Sequence, residues 1–162
     1  MKKILIVDDE TLILYSLSKT LFDQDREIVT ASTGKDALRE IHDRAYDLCL
    51  LDLHLPDMSG LDIMKTLREV SPNTKIMIIT GSMITESMMQ SIQENAHLLI
   101  TKPFDLDEVM TFADQLLTQT GPASGTLLKD GEPLIQGFLR QIVAGEDRKP
   151  RCLRLASPDL AR

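Results

Sequence analysis

Five short apolar segments alternate with segments of helical periodicity along the first 120 residues, and this alternation restricts the possible folds. The segments between and after the apolar ones place apolar residues three and four positions apart, as in Leu14, Leu17 and Leu21. Parallel strands joined by right-handed crossovers carry helices on both faces of the sheet. The pattern therefore predicts an α/β fold with a doubly wound, five-stranded parallel sheet. The predicted strands are residues 3–7, 28–31, 48–51, 76–79 and 98–101.

Polar residues end four of these apolar segments. They are Asp8 and Asp9, Asp52, Thr80 and Lys102. Taken singly, each has a simpler explanation as a helix cap, a turn residue, a strand end or a solvated lysine. However, the carboxyl ends of parallel strands lie along one edge of a sheet, so these groups are expected to converge. The set predicts one site with three carboxylates, a hydroxyl and an ammonium.

The chemistry of this set suits a divalent cation and a phosphoryl group. Neighbouring carboxylates repel each other unless a cation lies between them. An oxygen-only ligand set suits Mg²⁺ better than Zn²⁺. Mg²⁺ and Lys102 would neutralise phosphoryl oxygens, and the Thr80 hydroxyl could donate to one of them. Asp52 is the natural acceptor, because a carboxylate can form an acyl phosphate.

Charge and composition change near residue 120. The chain has a formal net charge of -7, yet its last segment is net basic and is rich in proline and glycine from residues 121–125 onward. We therefore predict one domain over residues 1–120, followed by a linker and a short C-terminal extension over residues 121–162. Residues 133–143 are predicted to form one amphipathic helix, which docks on the domain, pairs with a second copy or binds another protein.

The basic run at residues 148–154 is predicted to be a solvated tail, and nucleic acid is not expected as a partner. No apolar stretch reaches the roughly 20 residues that a membrane span needs, and the N-terminal apolar run ends at Asp8. Cys49 and Cys152 lie in dissimilar surroundings and do not suggest a disulfide. These features predict a cytoplasmic protein with reduced thiols and no membrane partner.

Four motifs resemble the receiver (CheY-like) domain of bacterial two-component response regulators. They occur in the family's order and spacing: ILIVDDE at residues 4–10, LLDLHLPDMSG at residues 50–60, IITG at residues 78–81 and TKPF at residues 101–104. The resemblance covers residues 1–120. It implies a flavodoxin-like sheet of strand order 2-1-3-4-5 and a phosphoacceptor signalling protein rather than an enzyme. Mg²⁺-dependent self-phosphorylation and autodephosphorylation are also implied.

The resemblance assigns roles at the predicted site. Asp52 would receive the phosphoryl group from a sensor histidine kinase or a phosphotransfer protein. Asp9 and Asp52 would bind Mg²⁺ directly, together with the backbone carbonyl of His54, and Asp8 would act largely through water.

The remaining roles concern phosphoryl binding and signal output. Lys102 would bind the phosphoryl group next to a cis peptide at Pro103. Thr80 would move toward a phosphoryl oxygen as the switch. Output would pass through a conformational change to a downstream protein target or a homodimer partner.

The sequence also departs from the family pattern. Leu99 stands where most receivers have the tyrosine or phenylalanine that moves with the switch threonine. This difference keeps open a first alternative, a pseudo-receiver that binds partners without phosphorylation, although the acidic pair, the acceptor and the lysine are all present. A second alternative is a haloacid-dehalogenase-like phosphatase, which also uses a strand-end aspartate. That fold needs a second aspartate two residues later, where this chain has His54.

Two groups of residues keep open interpretations. His54 is either a modulator of phosphoryl lifetime or a solvent-facing loop residue, whereas His42 and His97 are expected to be structural. Three methionines are predicted on the fourth helix, where they could meet a partner, although core packing is expected for at least one. They are Met83, Met88 and Met89.

Overall fold

The computed structural model describes residues 1–118 and, further along the chain, the backbone of residues 152–154. Strands and helices alternate as predicted, and each of the first five strands lies within two residues of its predicted bounds. The strands are β1 (Lys2–Val7), β2 (Arg26–Ala31), β3 (Leu48–Leu51), β4 (Lys75–Thr80), β5 (Leu98–Thr101) and β6 (Cys152–Arg154). The helices are α1 (Thr11–Leu21), α2 (Gly34–Asp43), α3 (Gly60–Val70), α4 (Glu86–Asn95) and α5 (Leu106–Thr118).

The strands form one sheet of order β2-β1-β3-β4-β5-β6. The first five are parallel, which confirms the flavodoxin-like order 2-1-3-4-5. β6 was not predicted; it runs antiparallel to β5, with Leu153 opposite Leu99. The prediction that residues 148–154 form a solvated tail is therefore wrong for residues 152–154. Their backbone extends the sheet, because the outer edge of β5 offers free hydrogen-bonding groups.

The sheet separates two apolar layers. Ile4 and Ile6 belong to the layer with α1 and α5, whereas Leu5 and Val7 belong to the layer with α2, α3 and α4. Successive side chains of a strand point to opposite faces, and both faces are covered by helices here. This arrangement explains why the central strands are continuous apolar runs.

Side chains that accept hydrogen bonds begin several helices. Thr33 accepts from Asp36 N–H before α2, Ser59 accepts from Leu61 N–H before α3, and Thr85 accepts from Met88 N–H before α4. These caps satisfy backbone donors that lack helical partners.

The start of α4 corrects one prediction. α4 begins at Glu86, so Met83 precedes the helix in the loop and is 93% exposed. The two loop residues between Met83 and the helix are Ile84 and the cap Thr85, and apolar periodicity does not reveal such a start signal. Met89 is buried in the core, as expected for at least one methionine, and Met88 packs against that core.

Several predictions fall outside the described residues. They concern the linker at residues 121–125, the amphipathic helix at residues 133–143 and the basic residues 148–151. α5 ends at Thr118, and the domain boundary near residue 120 stays a prediction. None of the described helices has the length and apolar character needed to cross a membrane.

Candidate functional site

Four of the five polar residues predicted to converge follow or end neighbouring strands at the same sheet edge. Asp8 follows β1, Asp52 follows β3, Thr80 ends β4 and Lys102 follows β5. Backbone pairing continues one residue beyond the strands: Asp52 N–H donates to Val7 O at 2.9 Å, and Lys102 N–H donates to Thr80 O at 2.8 Å. The sheet itself thus aligns the strand ends. The Lys102–Pro103 peptide is cis, as the resemblance implied.

The Lys102 ammonium joins three carboxylates. Its Nζ lies 2.8 Å from Asp8 Oδ2, 2.8 Å from Glu10 Oε1 and 2.9 Å from Asp52 Oδ2. The Lys102 side chain is 14% exposed, and those of Asp8 and Asp52 are 3% and 5% exposed. Charged hydrogen bonds in so little water are stronger than exposed ion pairs. The ammonium therefore holds two buried carboxylates close together.

Burial and pairing act on these groups in opposite directions. Burial alone would lower the pKa of Lys102, but its hydrogen bonds to Asp8, Glu10 and Asp52 together raise that pKa above its usual value. Burial raises the pKa of Asp8 and outweighs the lowering by Lys102 and by Glu10 N–H, which donates to Asp8 Oδ1 at 2.9 Å. Lys102 therefore stays charged, whereas ionising the buried Asp8 costs free energy.

The Asp52 carboxylate is oriented by its own loop. Its Oδ1 accepts from His54 N–H at 3.0 Å while its Oδ2 faces Lys102. Gly60 N–H closes the loop by donating to Leu53 O at 2.9 Å. A Cβ at position 60 would collide with the Asp52 carbonyl oxygen, so this close approach requires glycine.

The second half of the loop is tied to α2. Asp57 Oδ1 accepts from Gly34 N–H at 2.7 Å, and Asp57 Oδ2 accepts from Lys35 N–H at 2.8 Å. These bonds lower the pKa of Asp57. The carboxylate of Asp57 therefore has a structural partner that Asp52 lacks, which distinguishes the two aspartates of the loop.

The site offers oxygen ligands for a cation. One oxygen from each of Asp8, Glu10 and Asp52 lies within 4.8 Å of the others. A hard, all-oxygen set of this kind fits Mg²⁺. The exposed Asp9 is not one of these three carboxylates. The roles of Asp9 and the His54 carbonyl as ligands stay predictions.

A chain of hydrogen bonds leads from the switch threonine to the Asp52 loop. Thr80 is fully buried, and its Oγ1 lies 2.7 Å from Ser82 Oγ. Ser82 Oγ lies in turn 2.8 Å from Nδ1 of the exposed His54. The chain joins the β4–α4 loop to the β3–α3 loop through Ser82.

Leu99 is an ordinary core residue in this structure. It is 1% exposed and belongs to the same apolar cluster as Met89 and Ile92 of α4. It therefore packs β5 against α4 and has no polar atom with which to follow Thr80.

The remaining histidines also match their expected structural roles in part. Burial lowers the pKa of His97 to about 3, and its Nδ1 accepts from Ile76 N–H at 3.1 Å. A neutral His97 thus replaces a backbone acceptor at the start of β5. His42 is exposed near the end of α2.

Sequence reasoning missed Glu10 and Ser82 as parts of this site. Glu10 was visible as the third acid of the Asp8–Asp9–Glu10 run, and Ser82 as the hydroxyl two residues after Thr80. Neither position revealed its distant partner, because Lys102 and His54 lie far from Glu10 and Ser82 in the sequence. Their involvement follows from the backbone turn after each strand.

Comparison with known proteins agrees with the fold. The family model for the response regulator receiver domain matches residues 4–114. A cell cycle transcriptional regulator of Caulobacter vibrioides, CtrA, is 30% identical over 135 residues, which cover 82% of this chain and 58% of that relative. The chain thus spans less than two thirds of the length of this curated relative.

Solved structures show the same likeness. A CheY-like receiver domain protein from Methanospirillum hungatei has 31% identity and a TM-score of 0.68, with coverage of 72% of this chain and 94% of that one. The response regulator TrrA from Thermotoga maritima, solved in complex with Mg²⁺ and BeF, has 34% identity and a TM-score of 0.64, with coverage of 72% and 100%.

The parallel sheet of order 2-1-3-4-5 and its edge of carboxylates and lysine define a phosphoacceptor signalling module. The chain belongs to the response regulator receiver domain family of two-component systems. Because CtrA is a transcriptional regulator, the comparisons do not support the prediction that nucleic acid is no partner.

Proposed function

We propose that this chain receives a phosphoryl group on Asp52 from a histidine kinase or a phosphotransfer protein. The observation that carries the proposal is the contact of Asp52 Oδ2 with Lys102 Nζ at 2.9 Å, between two side chains that are 5% and 14% exposed. An Asp52 carboxylate oxygen attacks phosphorus while the phosphorus–nitrogen bond of a phosphohistidine breaks. Lys102 neutralises charge on the transferred group. The chain signals from the cytoplasm to a downstream protein or a second copy.

Asp9 and Asp52 would hold Mg²⁺ with the carbonyl of His54, and Asp8 would act largely through water. The bound ion would supply positive charge to the phosphoryl oxygens. The Lys102 ammonium neutralises the carboxylates of Asp8 and Asp52, so the protein itself holds these two groups close together. This preorganisation limits the cost of assembling the site.

Thr80 is the switch, and its hydroxyl leaves Ser82 to donate to a phosphoryl oxygen. The bond from Ser82 to His54 connects this movement to the loop that carries Asp52. Leu99 offers no aromatic ring to follow Thr80, so the hydrogen-bond chain through Ser82 is the route by which the site reports the movement.

Acetyl phosphate with Mg²⁺ tests the acceptor. We expect intact mass to show a gain of one phosphoryl group in the wild type and in Asp57→Asn, but not in Asp52→Asn. Asp57 is a matched control because it lies in the same loop and its carboxylate is engaged by α2. A phosphorylated Asp52→Asn variant would contradict the assignment.

The pseudo-receiver remains the second candidate, because Leu99 removes the aromatic partner of the switch. Absence of a mass gain in the folded wild type at every tested Mg²⁺ concentration would favour it. Self-phosphorylation and autodephosphorylation are part of our proposal and are measured in the same reactions.

Paired substitutions test the metal ligands. Isothermal titration with Mg²⁺ is expected to show an affinity at least about tenfold lower for Asp9→Asn, with a smaller loss for Glu10→Gln. The smaller loss is expected for Glu10→Gln because the Glu10 carboxylate already pairs with Lys102. A larger loss in Glu10→Gln would assign the ligand to Glu10.

Autodephosphorylation tests the hydrogen-bond chain. We expect altered lifetimes of phospho-Asp52 in both His54→Ala and Ser82→Ala, measured between pH 6 and 8. Thr85→Ala is the control, since Thr85 is another hydroxyl of the same loop and caps α4 instead. Unchanged lifetimes at every pH would leave His54 as a solvent-facing loop residue.

A further inference from the structure

The two edges of the parallel sheet are protected differently. β2, at one edge, carries Arg26 and Glu27, and Glu27 pairs with Arg44 at 2.9 Å. Charged side chains on an edge strand discourage pairing with another chain. This edge therefore carries its own protection.

β5 is the opposite edge of the parallel strands and has no such protection. Its sequence is Leu98-Leu99-Ile100-Thr101, without a charge, and the first three residues are 1% exposed or less. Its inner side pairs with β4 in register from Leu98 to Thr101. Without β6, its outer side would present unpaired backbone groups on a short, apolar strand, which is a template for another strand.

β6 covers this outer side. Residues 152–154 pair antiparallel with β5, and the register places Arg154, Leu153 and Cys152 opposite Leu98, Leu99 and Ile100. Three of the four residues of β5 are thus paired on both sides. Hydrogen bonding by the C-terminal segment thus protects the β5 edge, whereas charged side chains protect the β2 edge.

We propose that residues 152–154 form an intrachain cap that keeps the outer edge of β5 from pairing with a second copy of this chain. The occupant of the edge is the chain's own C-terminal segment, and a second copy is the competitor that it excludes. A cap of three residues makes few bonds, so it is a removable element rather than part of the core.

Proline substitutions in the full-length chain test the cap. Neighbouring residues of a strand direct their N–H groups to opposite sides, so Cys152→Pro together with Leu153→Pro removes a donor toward β5 in either phase. The matched control, Cys152→Thr together with Leu153→Val, retains both backbone donors and strand-forming side chains. The described residues of both core clusters precede Thr118, so the proline variant is expected to keep the fold.

Hydrogen exchange gives the first measurement. We expect amides of β5 that face β6 to exchange about tenfold or more faster in the proline variant than in the wild type and the control. The Lys102 N–H donates to Thr80 O across the other side and serves as an internal reference with unchanged protection. Equal exchange of all β5 amides in wild type and proline variant would overturn the cap.

Sedimentation velocity gives the second measurement. The wild type and the control are expected to remain monomeric over a concentration series in which the proline variant self-associates. A synthetic peptide of residues 148–158, added under reducing conditions, should bind the proline variant and reverse its self-association. A proline variant that stays monomeric overturns the proposal. A wild-type dimer that dissociates in the proline variant would also overturn the proposal, because β6 would then pair with β5 of the second copy.

Discussion

Two cations at opposite ends of the sheet have very different partners. At the carboxyl end, Lys102 contacts the carboxylates of Asp8, Glu10 and Asp52. At the amino end, Arg68 of α3 donates to neutral acceptors that belong to three separate segments. They are Asn95 O at 2.6 Å, Pro72 O at 2.7 Å, Thr74 O at 2.9 Å and His97 Nδ1 at 3.2 Å.

The difference in partners separates chemistry from architecture. Hydrogen bonds to carboxylates raise the pKa of Lys102, whereas burial lowers the pKa of Arg68 to about 10. The carboxylates around Lys102 can exchange the ammonium for a metal cation, and the ammonium can exchange a carboxylate oxygen for a phosphoryl oxygen. The carbonyl groups around Arg68 offer no such exchange, so Arg68 clamps the start of β4 and the end of α4.

The rate of phosphorylation should differ most strongly between variants of Lys102 and variants of Arg68. Lys102→Met is expected to lower the rate of phosphorylation by acetyl phosphate about 100-fold, because it removes a charged donor at the reacting group. Arg68→Met should leave the rate per folded molecule within about twofold, since Arg68 lies at the other end of the sheet. Mass spectrometry over time measures both. Equal losses would contradict the division of roles.

Stability should show the reverse order. Arg68→Met is expected to lower the free energy of unfolding by about 3 kcal/mol, because it removes the donor of several partly buried carbonyl groups. Arg39→Met is the control: Arg39 pairs with Asp36 on the exposed face of α2 and should contribute less than about 0.5 kcal/mol. Urea titration compares the variants. A loss of stability as small as that of Arg39→Met would mean that water replaces the hydrogen bonds of Arg68.

The Arg68 clamp should also make stability depend on pH through His97. The pKa of His97 falls from 6.5 in the unfolded chain to about 3 in the fold. Its contribution is therefore fully present above pH 6.5 and is lost as the pH falls from 6.5 toward 3. One pH unit below 6.5 costs about 1.4 kcal/mol. The difference in urea stability between wild type and His97→Asn should shrink by this amount from pH 7.5 to 5.5; a constant difference would exclude the effect.

The smallest expected effect on stability concerns Asp8, at the carboxyl end of the sheet. Because burial raises its pKa above 3.8, the stability associated with its protonated form is present below that value and is lost as the pH rises through the folded-state pKa. Asp8→Asn should therefore stabilise the metal-free protein at neutral pH by about 1 kcal/mol. Thermal unfolding without Mg²⁺ measures the change.

A matched aspartate provides the control for this prediction. The pKa of Asp57 is lowered by Gly34 N–H and Lys35 N–H, so Asp57→Asn should destabilise the protein where Asp8→Asn stabilises it. If both variants were destabilised, the ionised Asp8 would contribute favourably to the fold through Lys102.

Much of the carboxyl end could be predicted, because it depends on local patterns. Asp8, Asp52, Thr80 and Lys102 are each placed by the end of an apolar strand, and parallel strands end at one edge. The amino end could not be predicted in the same way. Arg68 looks like a surface residue in the last turn of an amphipathic helix, and its acceptors are carbonyl groups, which carry no sequence signal.

The sequence by itself determined the five parallel strands, the two helical layers and the edge at which the acidic residues, threonine and lysine meet. These features follow from side-chain periods of 2 and 3.6 residues and from the direction of each strand. Only the tertiary structure decided which distant groups pair: Glu10 with Lys102, Ser82 with His54, and residues 152–154 with β5. Such pairs depend on distances across the fold, which the backbone turns set and no local pattern records.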